Sequence, residues 1–128
     1  APIMVDGTLF HRVLVGPATD SASAESLADR VAAETGADRS TWVMRETPVA
    51  FDLGVYAELD AATRRIEVLV GLDVPAYVLA MDMSDGSTRY RIYAGAYANE
   101  QEATYLRGHL EAQGLNDPTL STRVGRIP

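Results

Sequence analysis

The chain has 128 residues, 47% of them hydrophobic, enough for one core and short for two independent ones. Its formal charge is −7, lysine is absent and only Arg64 and Arg65 are adjacent among the arginines, which excludes a concentrated basic surface for nucleic-acid phosphates and a polybasic tail for anionic lipid. Without cysteine there is no disulfide framework, thiolate zinc site or thiol nucleophile, and no apolar run approaches the roughly 20 residues that span a bilayer.

Along the chain one pattern recurs three times. Phe10 to Gly16 reads as a short strand ending in glycine, followed by a polar turn and then a helical stripe of Ala24, Leu27, Ala28 and Val31 before Gly36. Glu25, Asp29 and Glu34, with Arg30, fall along the same helix as a solvated face. Ser40 to Arg45 is expected to be a closing strand, with Trp42 packing on the core, and Pro48 marks the join to the next copy.

The second copy opens with Val49 to Gly54, continues with the stripe Ala62, Ile66, Leu69 and Val70 before Gly71, and closes with Val74 to Met81. Asp85-Gly86 suits a tight hairpin turn into the third copy. That copy runs from Tyr90 to Gly95, through Ala103, Leu106 and Leu110 before Gly114, to Thr119–Val124. Gly36, Gly71 and Gly114 are expected to cap their helices in the left-handed conformation.

Each copy is thus a β-α-β unit, and the chain is expected to be an α+β protein. The second and third units, over residues 48–128, predict a split β-α-β (ferredoxin-like) fold with four antiparallel strands packed by one face on two helices. Residues 1–47 are expected to form an additional N-terminal β-α-β half-repeat. Strand alternation turns Phe51, Leu53, Ala76, Val78, Ile92 and Ala94 toward the helices, and Asp52, Tyr77, Arg91, Tyr93 and Arg123 toward an open face. A half unit would leave strand edges exposed, so it is expected to pack on its neighbour or to be completed by another molecule, as in a homodimer.

Val49 to Gly125 resembles a SPOR domain. The likeness lies in Leu53-Gly54-Val55-Tyr56, Val74-Pro75-Ala76-Tyr77-Val78, Tyr90-Arg91-Ile92-Tyr93-Ala94-Gly95-Ala96-Tyr97, and the helix opening Glu100-Gln101-Glu102-Ala103 with Leu106, Leu110 and Gly114. Arg12 to Pro17 with its helix is similar to the second half of such a domain, giving about one and a half copies. Where the family often carries Gln two residues before the first glycine, this chain has Asp52.

The resemblance implies a non-catalytic module that binds peptidoglycan glycan strands on the open face of the sheet. Its setting would be a larger bacterial cell-envelope or division protein, on the periplasmic or extracellular face. The candidate glycan contacts are Asp52, Tyr56, Tyr77, Arg91, Tyr93, Tyr97 and Arg123, because sugar rings stack their C–H surfaces on aromatic faces and leave hydroxyls for polar partners. The alternative is a divergent repeat serving protein–protein interaction or assembly.

Catalysis finds no support in the motifs, and no cofactor or metal is implied. His11 and His109 lack a Ser or Asp at a recognisable spacing. Asp82 to Ser87 lacks the ligand set of a calcium loop, and Gly16-Pro17-Ala18-Thr19 lacks the glycine run and Lys of a phosphate loop.

Overall fold

A computed structural model of the protein describes residues 1–14, 17, 18, 20–43 and 45–128. They divide into a larger unit, Ala1–Arg12 with Thr47–Pro128, and a smaller one, Val13–Glu46. In the larger unit, β1 (Pro2–Val5) and β2 (Thr8–His11) form a hairpin, and the other elements follow in the order β3 (Val49–Tyr56), α2 (Leu59–Gly71), β4 (Ala76–Asp82), β5 (Thr88–Tyr97), α3 (Thr104–Ala112) and β6 (Thr119–Thr122). The smaller unit holds α1 (Ser21–Thr35) and a 3-10 turn, Arg39–Thr41.

The four long-range strands form one antiparallel sheet in the order β4-β5-β3-β6. Alternation places Phe51, Ile92 and Ala94 in a core with Ala62 and Leu69 of α2 and Leu106 and Leu110 of α3, while Leu53, Ala76 and Val78 pack against its rim. Phe51, Ile92, Leu106 and Leu110 are wholly buried, and burying such a side chain is worth about 1.5–3 kcal/mol in transfer free energy. The helix-facing set expected from the sequence is therefore the set that forms the core.

Two bulges interrupt the β3–β5 ladder. Between the pairs Val49↔Tyr97 and Phe51↔Ala94 the extra residue is on β5, and between Asp52↔Tyr93 and Val55↔Arg91 it is on β3. A glycine with positive φ sits in each, Gly95 at 71° and Gly54 at 122°. An extra residue reverses which face the following side chains take, a consequence that matters for the site.

The larger unit takes in residues expected to belong to a separate half-repeat. Asp6 (φ 49°) and Gly7 (φ 77°) turn β1 directly into β2, as an Asp-Gly pair favours in a two-residue hairpin. Ile3 of β1 then enters the same core as Leu106, and Met4 donates its N–H to the Glu102 carbonyl at 3.2 Å. Arg12 donates to the Ala96 carbonyl at 2.9 Å and faces Glu102 at 3.6 Å. β2 stops at His11; Val15 and Gly16, where the expected strand ends, lie outside the described residues, as does Thr19 of the loop weighed for phosphate.

In the smaller unit, Asp20 caps α1 by accepting from the Ser23 N–H at 2.7 Å, and Gly36 ends it at φ 73°. The strand expected over Ser40 to Arg45 is absent among its described residues. Asp38 instead accepts from the Ser40 N–H at 3.0 Å and closes the 3-10 turn, a local side-chain bond that competes with an extended ladder. Trp42 follows that turn half-buried, 5.8 Å from the Arg39 guanidinium. Arg39 is also paired with Glu25 and Asp29, so part of the expected solvated face is an ion-pair cluster.

After α2 the left-handed residue is Asp73 (φ 60°) rather than Gly71, while Gly114 (φ 88°) follows α3 as expected.

Candidate functional site on the helix-free face of the sheet

The side chains that alternate away from the helices gather into a second, smaller cluster. Ala50 of β3, Leu79 of β4 and Tyr93 of β5 are buried there, with Tyr77 packed against them. The rings of Tyr77 and Tyr93 lie 6.1 Å apart, tilted by 34°, within the range of favourable aromatic pairs. Beside them Asp52 and Arg91 form an ion pair, and Asp52 also accepts from the Gly54 N–H at 3.0 Å, bracing the bulge. The carboxylate expected to accept from a sugar is thus already engaged within the sheet.

Arg123 joins this face from the chain beyond β6. Its guanidinium donates to the Thr47 carbonyl at 2.6 Å and to the Tyr77 hydroxyl at 3.3 Å, and lies 6.0 Å from the Tyr77 ring centre. Tyr77 in turn donates to the Gly95 carbonyl at 2.8 Å. Burial pushes the Tyr77 phenol above its ordinary pKa, against the opposite pull of Arg123.

The expected open face is partly covered. Val124 donates its N–H to the Tyr93 hydroxyl at 3.1 Å, and Tyr93 is only 1% exposed. Further on, Arg126 exchanges two backbone hydrogen bonds with Ala80 of β4, at 2.8 and 2.9 Å, and its side chain meets Asp82 at 3.1 Å. Thr47, Asp82, Val124, Gly125 and Arg126 were not among the expected site residues. The sequence signal that could have drawn notice to them is a glycine, Gly125, placed directly after a strand pattern.

Five of the seven expected site residues, Asp52, Tyr77, Arg91, Tyr93 and Arg123, come together here. Tyr56 and Tyr97 do not, because each follows a bulge and is turned to the helix side. Tyr56 packs on the rim of the main core; Tyr97 is wholly buried in it and donates its hydroxyl to the Pro2 carbonyl at 2.7 Å. Burial pushes the Tyr97 phenol far above its ordinary value.

The two histidines, distant in sequence, line one shallow hollow of about 320 Å³ with Asp73 and Tyr105. His109 Nε2 is 3.0 Å from the Leu72 carbonyl and His11 is exposed on β2. Asp85 is engaged by the Ser87 N–H at 2.9 Å in the β4–β5 turn. Among the described residues no three His, Asp or Glu side chains converge in a way that could hold a metal ion.

A family model described as SPOR domain matches residues 46–117, more than half of the chain, from the start of β3 to the loop after α3. No curated protein and no solved structure matches. The matched span contains both bulged Gly-x-Tyr segments, the tyrosine pair and the Asp52–Arg91 ion pair, and by this match the chain belongs to the SPOR domain family.

Proposed function

We propose that the chain is a non-catalytic peptidoglycan-binding module that takes glycan strands along the helix-free face of its sheet, within a larger bacterial cell-envelope or division protein. SPOR domains bind peptidoglycan and are a binding family rather than a catalytic one. The observation that carries the reading to this face is the cluster of Tyr77 and Tyr93 beside the Asp52–Arg91 pair. Half-buried Tyr77, backed by the buried Tyr93, offers aromatic surface for sugar C–H groups beside polar groups for hydroxyls. No described helix is long and apolar enough to cross a membrane; the periplasmic or extracellular setting follows from the ligand.

The test is co-sedimentation with purified sacculi before and after an amidase removes the stem peptides, comparing wild type with Tyr77→Ala. Tyr77 is half-buried, so its truncation disturbs packing less than that of Tyr93. Binding that rises on stripping and falls with the substitution supports the reading, and no binding by folded protein to either preparation overturns it. A second reading, an assembly module or homodimer, draws on the exposed Val5, Leu9 and Phe10 of the β1–β2 hairpin. Concentration-dependent dimerisation in sedimentation velocity, lost in Phe10→Ser, would favour it.

A further inference from the structure

We propose that the segment Arg123–Arg126 is a displaceable strap, which closes the helix-free face in the free protein and competes with the ligand for it. The inference rests on the glycan-binding reading and adds its regulation; the strap itself lies beyond the family match, which ends at residue 117.

The strap occupies the groups a sugar would use. Val124 fills the hydrogen-bonding position at the Tyr93 hydroxyl, and the Arg123 guanidinium lies on the Tyr77 ring and donates to its hydroxyl. Gly125 (φ 110°) passes so close to the sheet that a Cβ there would stand 2.7 Å from the Ala80 carbonyl oxygen and 3.1 Å from Leu79 Cβ. Only glycine permits that approach. Arg126 then closes on the far edge strand through the Ala80 bridge and Asp82.

Arg123 is the strap's fixed end, donating its N–H to the Pro48 carbonyl at 2.7 Å and its guanidinium to Thr47, but beyond Arg123 the anchorage is thin. Val124 and Ile127 are 52% and 54% exposed, and the Arg126 and Asp82 side chains of the terminal ion pair are 56% and 67% exposed. Exposed pairs of this kind add little, and segments with few buried apolar contacts occupy the low end of the local-opening scale. Val124, Gly125 and Arg126 belong neither to β6 nor to the main core, so this stretch can swing away from Arg123 while the four-stranded sheet stays whole. A ligand that binds only the uncovered face then has its apparent affinity reduced by the closed fraction.

Two variants move the strap in opposite directions without touching Tyr77, Tyr93, Asp52 or Arg91. Gly125→Val forces it off by the clash with Ala80. Ala80→Cys with Arg126→Cys ties it down, since facing residues of a hydrogen-bonded antiparallel pair lie about 5.5 Å apart at Cα, within disulfide reach, and the described chain has no other cysteine. Binding to amidase-stripped sacculi is measured for wild type, Gly125→Val, and the double-cysteine protein oxidised and reduced, with amide exchange at Ala80 and Val124 reporting the strap.

The expected result is binding roughly three- to tenfold tighter for Gly125→Val, loss of protection at both amides, and weakened binding of the oxidised protein that reduction restores. Equal binding by wild type and by the oxidised and reduced double-cysteine protein overturns the strap and leaves the glycan reading standing. Binding by none of the proteins, the uncovered Gly125→Val included, overturns both. Binding by Gly125→Val alone supports both, with wild type held closed. The oxidised and reduced comparison is made on one sequence, so it decides the matter even if Gly125→Val fails to fold.

Discussion

The ring of Tyr97 folds back over Gly95, two residues before it, and fills the space a side chain on Gly95 would need: a Cβ there would stand 2.8 Å from Tyr97 Cζ. The same relation recurs in looser form one copy earlier, where the Tyr56 ring is 3.8 Å from the Cβ position of Gly54. In both cases the glycine sits in a bulge that sends the tyrosine to the helix side. The repeated Gly-x-Tyr segment is therefore a core-building device, and the tyrosines left on the helix-free face are Tyr77 and Tyr93.

A glycine series separates strain from collision. Gly86→Ala, in the open β4–β5 turn at φ 86° with nothing within 4 Å, is expected to cost about 1 kcal/mol for the left-handed backbone alone. Gly95→Ala adds the collision with Tyr97 and is expected to cost ~3 kcal/mol or more. Urea denaturation of both variants checks the order; equal losses would mean that Tyr97 gives way freely.

Alkaline stability follows from Tyr97. Its folded-state pKa lies above the ordinary phenol value of 10.0, so the protonated, buried ring contributes fully below that pH. The contribution is lost as pH rises from 10.0 toward the folded-state value. Tyr97→Phe is expected to cost ~1 kcal/mol at neutral pH, for the bond to the Pro2 carbonyl, and to show a flatter loss of stability above pH 10 than wild type. Denaturant midpoints measured from neutral pH to beyond that point test it.

Asp52 has two separable contacts. Asp52→Asn removes the charge facing Arg91 and keeps an acceptor for the Gly54 N–H. Its expected cost is below about 1 kcal/mol, because both partners are partly solvated. Asp52→Ala also removes the bulge brace and is expected to cost ~2 kcal/mol. Equilibrium unfolding of the two variants gives the difference directly.

Ile3→Ala tests where the N-terminal hairpin belongs. Ile3 is 5% exposed in the core that holds Leu106 and Leu110, so truncation is expected to cost about 2–4 kcal/mol. The loss should appear as a shift of the single transition of the four-stranded sheet, followed by amide exchange in β5. An unchanged β5 would detach the hairpin from that core.

The α+β class, the helix stripes and the inward-facing set Phe51, Leu53, Ala76, Val78, Ile92 and Ala94 were legible in the sequence because periods of two and 3.6 are local properties of the backbone. So were the turn at Asp85-Gly86 and the left-handed ends at Gly36 and Gly114. The family likeness rested on those same local segments. Alternation failed at Tyr56 and Tyr97, where a bulge is a miscount between two strands and so does not exist until β3 meets β5. The β1–β2 hairpin had a local signal, Asp6-Gly7, but its place in the core depended on a free flank of α3. Tertiary structure alone decided that the face expected to lie open is crossed by Arg123–Arg126, since the Ala80–Arg126 bridge joins residues 46 positions apart. Nothing in either local sequence requires that pairing: it forms because β4 ends the sheet with unpaired backbone groups and Gly125 lets the chain come close enough to satisfy them.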